Sequence, residues 1–396
     1  IKGLANTMKN YRGKLKGMKR LGLVERRREE EKALQSFIDA DEKRKSRGGT
    51  ILSDIARVYD EMRAAFDYEM ALDYLRSVNL LGYAFSVNEA AIERRKPDLE
   101  REAAYMDRNF PQTRQRILLS LRNFYEPTDK AVFKELLLRA SKLEGTNRIK
   151  AVDDLFHADF SDPAIDAFLN KAYDGSKMKD AKFVEELLDK TPDEIAGVQD
   201  PFLDLARALY PAVLEVREKQ KARRGALDPL YARLGDLKEL YLGKSFIPDA
   251  NNTLRLTYGR IKGYSPADAV YYEPFTTLRG VLEKTTGREP FDTPAALFDL
   301  SKARDFGAFE HPKLQDIPVC MLYDTDTTGG NSGSPVINAR GELVGVNFDR
   351  TYEATINDYV WSKEYSRSIA VDIRYVLWVT QKFGRADFLL KEMGLE

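Results

Sequence analysis

The chain has 396 residues, 43% of them hydrophobic and 32% charged, the balance of a folded protein with long solvated faces. Lys plus Arg and Asp plus Glu are both 63, so the formal net charge is zero and the positive excess that marks nucleic-acid or polybasic membrane binders is missing. No apolar run approaches the roughly 20 residues of a membrane-spanning helix, and the single cysteine, Cys320, excludes an intrachain disulfide.

Such a length predicts two or more domains. The chain opens at Ile1 with neither Met nor a basic-then-apolar leader, and reads as the interior of a longer polypeptide. Residues 1–245 read as helix after helix. Arg26 to Lys45 is dense in Arg, Glu and Lys, with Leu34, Phe37 and Ile38 on one side, and Gly48-Gly49 is its expected break. Ile51, Ile55, Val58, Met62 and Phe66 then recur at spacings of three and four, an amphipathic helix. Leu227, Leu230, Leu234, Leu237 and Leu240 form a second clean stripe. Pro127, Pro163, Pro192 and Pro201 fall between helices or near their starts, where a missing N–H costs least.

The texture changes near Gly243. Thr253 to Ile261 alternates apolar and polar residues, which predicts a half-buried strand. Asp316 to Leu322 reads as a strand entering a core. Pro335-Val-Ile, a turn at Asn338 to Gly341, and Leu343 to Phe348 read as a hairpin. The stretch from Ser368 begins as a strand and ends as a helix through Phe388 and Leu390. The expected architecture is α+β: a large helical domain over 1–245, then a small β domain over 246–396 closed by a C-terminal helix.

Thr328-Gly-Gly-Asn-Ser-Gly-Ser-Pro335 lies between two strand-like runs. Glycines let a backbone turn tightly and aim successive N–H groups at one spot. Ser332 is the candidate nucleophile, and the N–H groups of Gly330 and Ser332 are candidate oxyanion donors, each worth about 3 kcal/mol in a transition state. A surface hairpin without chemistry is the alternative, since the same residues dominate ordinary turns.

This segment, together with Asp249 to Tyr264, Thr276 to Lys284, Phe348-Asp-Arg350 and Val371-Asp-x-Arg-Tyr375, resembles the bacterial dipeptidyl-peptidase 7 and 11 family. Those are chymotrypsin-like serine exopeptidases whose double β-barrel carries a large helical insertion. The resemblance implies a helical cap over 1–245 and a chymotrypsin-like β-barrel half-domain over 246–396. It further implies Ser332 as nucleophile, Asp349 as the acid that binds the substrate's free α-amino group, and Arg350 as the residue that selects Asp or Glu at P1. Glycine at that last position accompanies hydrophobic P1 side chains. An asparagine from the cap helps hold the substrate N-terminus, and Asn6 is its best match, with Asn10 the rival and a plain helix cap the alternative for either.

A peptidase of this clan needs a histidine base and an orienting aspartate. Neither His157 nor His311 sits in a matching motif, so the resemblance places base and aspartate in a first barrel upstream of this chain, which alone should be an inefficient peptidase. It also implies a homodimer, a periplasmic location in a Gram-negative bacterium, peptide substrates with a free N-terminus, and no cofactor or metal. A broad or hydrophobic P1 preference, an acid-specific endopeptidase, and a non-catalytic peptide-binding module stay open as alternatives.

Overall fold

The computed structural model describes residues 2–157, 159–246 and 253–395. Asp249–Asn252, the start of one quoted motif, lie outside the described residues. Twelve helices come first: α1 (Lys2–Arg20), α2 (Leu23–Asp39), α3 (Glu42–Gly48), α4 (Ile51–Arg76), α5 (Asn79–Glu93), α6 (Phe110–Leu121), α7 (Glu126–Ala140), α8 (Lys150–Phe156), α9 (Asp162–Gly175), α10 (Ala181–Asp189), α11 (Pro192–Ala196) and α12 (Pro201–Leu242). The remainder is β1 (Tyr264–Ala267), β2 (Val270–Tyr272), β3 (Phe275–Thr277), α13 (Leu278–Glu283), α14 (Ala295–Lys302), β4 (Pro318–Tyr323), β5 (Pro335–Ile337), β6 (Leu343–Arg350), β7 (Ser368–Asp372), α15 (Ile373–Trp378) and α16 (Asp387–Glu392).

By contact these elements form two compact units, Leu34–Ser245 and a second made of Ile1–Ala33 with Phe246–Glu396. The helical unit buries Leu80, Phe85, Phe133, Leu137, Tyr173, Phe202 and Leu209 in one apolar core. Its helices start as their prolines predict: Pro127, Pro163, Pro192 and Pro201 all occupy a first-turn position. Asp200 caps α12 by accepting from the N–H groups of Phe202 and Leu203. Leu230, Leu234 and Leu237 of the second stripe pack with Leu34, Ile38 and Ile51, whereas Leu240 is exposed. The early break falls before Gly48: α2 stops at Asp39 and Asp41 caps α3 through the Arg44 N–H. A carboxylate that satisfies an orphan donor restarts a helix there.

Residues 1–33 depart from the sequence-based division, which gave them to the helical domain, because α1 is seated on the sheet-bearing segment. A Cβ on Gly13 would lie 2.2 Å from Thr355 Oγ1, and one on Gly17 would lie 2.7 Å from Ile356 Cβ. Only glycine lets the two backbones approach so closely. The contact partner is the short helical turn Tyr352–Asp358, whose Ala354, Thr355 and Ile356 are buried.

The sheet-bearing unit holds a β1–β2 hairpin and a five-stranded antiparallel sheet in the order β3-β4-β7-β6-β5. The predicted hairpin is β5–β6, and Gly341 turns it at φ +80°. Trp378, Leu278, Ile317 and Phe306 form the core where α15 and α13 meet the sheet. Asp372 ends β7, caps α15 through the Arg374 N–H, and clamps the Arg374 guanidinium at 2.7 and 2.9 Å. The strand predicted over Thr253 to Ile261 is not formed: only Ile261 bridges to Tyr323, and Leu254 is 100% exposed. Alternation alone does not make a strand without a neighbour to accept its hydrogen bonds. Among the described residues no helix is long and apolar enough to cross a membrane.

Candidate active site

Two rungs fix the glycine loop against β6. The Gly333 N–H donates to the Asn347 carbonyl at 2.8 Å, and the Asn347 N–H donates to the Ser334 carbonyl at 2.9 Å. The buried Asn347 side chain adds a third tie, its Nδ2 donating to the Asn331 carbonyl at 3.0 Å while its Oδ1 accepts from the Tyr323 hydroxyl. Asn347 thus holds the residue immediately before Ser332. Gly330 at φ +100° and Gly333 at φ +89° supply the left-handed backbone that the loop requires.

Ser332 is exposed, and its hydroxyl donates to the Phe348 carbonyl at 3.2 Å. The long bond and solvent access leave the Oγ free to exchange partners. Among the described residues neither the Gly330 nor the Ser332 N–H donates to another group of the chain. Two unpaired amides beside an exposed serine are what acyl transfer needs to hold an oxyanion.

The β6–β7 register slips between Asn347 and Asp349, so Phe348 is an extra residue in the strand. Such a bulge re-aims the side chains that follow it. Asp349 is exposed, and its Oδ1 accepts from the Arg350 N–H at 2.8 Å. The Arg350 side chain is only 15% exposed, and its Nη1 donates to Asp358 Oδ1 at 2.8 Å. Asp358 also accepts from Thr328 Oγ1 at 2.8 Å and from Lys14 Nζ at 2.7 Å. The Arg350 guanidinium, with Lys14 and Thr328, holds the Asp358 carboxyl well below its ordinary range. Sequence reasoning passed over Asp358, Lys14 and Asn347. Asn347 sits in the predicted strand Leu343 to Phe348, but Asp358 and Lys14 belong to no motif.

Asn6 and Asn10 both lie inside α1, so neither caps a helix, and Asn10 Nδ2 donates to the Asn6 carbonyl at 2.9 Å. No described hydrogen bond connects Asn6 to Ser332, Asp349 or Arg350. His157 is itself the left-handed cap of α8 at φ 45°. His311 accepts the Lys313 and Leu314 N–H groups on Nδ1 and leans on the Phe275 ring. Burial, then the Arg374 charge, push its pKa down. Neither histidine hydrogen-bonds Ser332 among the described residues. Asp324 is spent on the backbone, accepting from the Arg260 N–H at 2.7 Å. Among the described residues no three His, Cys, Asp or Glu side chains converge as metal ligands would.

The profile of the family described as Peptidase S46 matches residues 1–395. A curated relative from Shewanella putrefaciens, an Asp/Glu-specific dipeptidyl-peptidase, is 31% identical over 99% of this chain and 56% of its own length. Dipeptidyl-peptidase 7 of Phocaeicola vulgatus is 32% identical over 99% of this chain and 54% of its own. In three dimensions the chain is similar to the crystal structure of Porphyromonas endodontalis DPP11 in complex with the dipeptide Arg-Glu. There the TM-score is 0.73 at 26% identity, over 98% of this chain and 55% of the other. The chain spans about half the length of the curated relatives it matches. With a family match over residues 1–395 and a similar fold over 98% of its length, the chain belongs to the Peptidase S46 family.

Proposed function

We propose that this chain is the nucleophile-bearing part of a serine dipeptidyl peptidase that releases N-terminal dipeptides ending in Asp or Glu. Ser332 Oγ attacks the carbonyl carbon of the second residue, and the Gly330 and Ser332 N–H groups take the developing oxyanion. The departing amine leaves a dipeptidyl ester on Ser332, which water then hydrolyses. The base that removes the serine proton comes from residues outside this chain, since both histidines here serve local turns. Asp349 holds the substrate ammonium, and Asn6 is its weaker companion. The reading carries with it a periplasmic home and a homodimer.

The observation that carries the P1 assignment is the state of Arg350. Its Nη1 is occupied, whereas among the described residues Nε and Nη2 meet no partner in the chain. Those two nitrogens form one planar edge, the fork that grips a carboxylate bidentately. A charge-assisted bond of this kind is worth about 1.5–3 kcal/mol. The relative from Shewanella putrefaciens and the DPP11 structure with bound Arg-Glu support an acidic second residue.

The test uses the complete enzyme and dipeptide reporters ending in Asp, Glu or Leu, each with a free or blocked amine. Cleavage confined to free-amine Asp and Glu reporters is expected. Preference for Leu removes the role of Arg350, and turnover of blocked reporters removes that of Asp349.

A further inference from the structure

We propose that Asp358 is the positioning residue for the Arg350 guanidinium, itself pinned by Lys14 from helix α1 and by Thr328 from the nucleophile loop. This deepens the proposed function and rests on Arg350 being the P1 carboxylate binder.

An arginine has several rotatable bonds, and one that must grip a substrate needs a fixed plane. Here one carboxylate supplies it. Asp358 Oδ1 takes Arg350 Nη1 at 2.8 Å, the nitrogen that does not belong to the Nε/Nη2 edge. The same oxygen takes the Thr328 hydroxyl at 2.8 Å, and Thr328 Oγ1 lies 3.4 Å from Nη1. Three groups therefore close a small ring that joins the specificity side chain to the first residue of the serine loop. A substrate gripped by Arg350 is thereby registered against Ser332. The neighbouring Asn357 repeats the tie, its Nδ2 donating to the Thr327 carbonyl at 3.1 Å.

A carboxylate beside a specificity arginine carries a risk, because it competes for the cation that the substrate needs. Lys14 answers it. Its Nζ meets the other oxygen, Oδ2, at 2.7 Å, so Lys14, Arg350 and Asp358 sum to one positive charge. The set keeps the orientation that Asp358 provides and still presents a net cation to an acidic P1 side chain. The Lys14 and Asp358 side chains are 22% and 29% exposed, so the trio sits at the rim of a site that substrate can enter. Asp358 itself is placed by the turn Tyr352–Asp358, on which α1 is seated through Gly13 and Gly17.

The experiment measures kcat and KM of the complete enzyme on free-amine reporters ending in Glu and in Leu. Wild type is compared with Asp358→Asn, Asp358→Glu, Lys14→Gln and Arg350→Gly. Asp358→Asn is expected to lower the Glu-over-Leu ratio of kcat/KM by about tenfold, mainly by raising KM for Glu, the scale of one charge-assisted bond. Asp358→Glu restores part of the ratio, which a purely structural role would not predict. Lys14→Gln moves the ratio the same way by less, and it stands in if Asp358→Asn fails to fold. The inference is overturned if Arg350→Gly abolishes the preference while Asp358→Asn and Lys14→Gln leave it unchanged. A ratio that rises in Asp358→Asn also overturns it, because Asp358 would then be a mere competitor. A wild type without acidic preference, or one whose preference survives Arg350→Gly, overturns the reading of Arg350 and this inference with it.

Discussion

Replacing Gly13 by alanine isolates how helix α1 is seated, because two effects of opposite sign act at one atom. In an exposed helix interior the exchange stabilises by about 0.8–1 kcal/mol, since alanine loses less backbone entropy. At Gly13 the new Cβ meets Thr355 Oγ1 at 2.2 Å and the Tyr352 carbonyl at 3.0 Å. Neither can give way cheaply. Thr355 is buried and its hydroxyl donates to that same carbonyl at 2.7 Å, so turning it away forfeits the bond. Overpacking of this kind costs about 1–3 kcal/mol, so against the helix gain a net loss centred on about 1 and at most about 2 kcal/mol is expected. For a unit of this size each kcal/mol moves the midpoint by about 2–4 °C. Gly3→Ala is the control, with nothing within 4 Å of its Cβ. Both tryptophans, Trp361 and Trp378, lie in the sheet-bearing unit, so their fluorescence follows that unit alone through thermal unfolding. Gly13→Ala should lower the midpoint by a few degrees while Gly3→Ala leaves it level or higher. If both variants raise the midpoint together, α1 does not press on the turn and the reassignment of residues 1–33 is refuted.

Three other outcomes follow from the same contacts. Asn347→Ala removes the amide that holds the Asn331 carbonyl and orphans the Tyr323 hydroxyl. It should cost about 1–3 kcal/mol in fluorescence-monitored unfolding and lower kcat more than it raises KM, and wild-type kinetics would refute its role. Asp129→Ala in the helical unit strips partners from the Asn79 and Leu80 N–H groups and from the Tyr173 hydroxyl. A loss of about 2–4 kcal/mol, read by far-ultraviolet circular dichroism, is expected, and an unchanged midpoint would show those groups to be satisfied otherwise. Asp358 has a folded pKa below its ordinary 3.8, so its stabilisation is complete above that value and is lost as pH falls through the folded pKa. The stability gap between wild type and Asp358→Asn should therefore be flat from neutral pH to about 4 and shrink only in stronger acid. A gap that closes already between pH 7 and 5 would mean that another group titrates.

What the sequence revealed and what it hid divide along physical lines. The starts at Pro127, Pro163, Pro192 and Pro201 were legible because proline acts locally, and the β5–β6 hairpin because Gly341 and the flanking alternation are local too, whereas the Asp41 cap that restarts α3 was passed over. Ser332, Asp349 and Arg350 lie within two short motifs, so residue type and spacing sufficed to name them as candidates. The strand expected over Thr253 to Ile261 was misjudged because pairing depends on a neighbour that alternation does not name. The allegiance of α1 was hidden for a similar reason. Gly13 and Gly17 look like weak helix residues until the surface they face is known. Lys14 and Asp358 stand far apart in the chain, and each alone is an ordinary surface charge.

The bulge in β6 explains why so much of the site fits on one strand. In an unbroken strand, side chains alternate faces, and consecutive residues cannot serve one place. The extra residue at Phe348 interrupts that alternation between Asn347 and Asp349. Asn347 stays turned inward and holds the loop before Ser332. Phe348 offers its carbonyl to the serine hydroxyl, and Asp349 and Arg350 follow beyond the slip. The glycine loop, Ser332, Asp349 and Arg350 are thus registered by a single local irregularity, which costs one ladder rung and removes the need to recruit each group from a different element. Asp358 then adds the one restraint that the strand cannot supply, the orientation of a long side chain at its end.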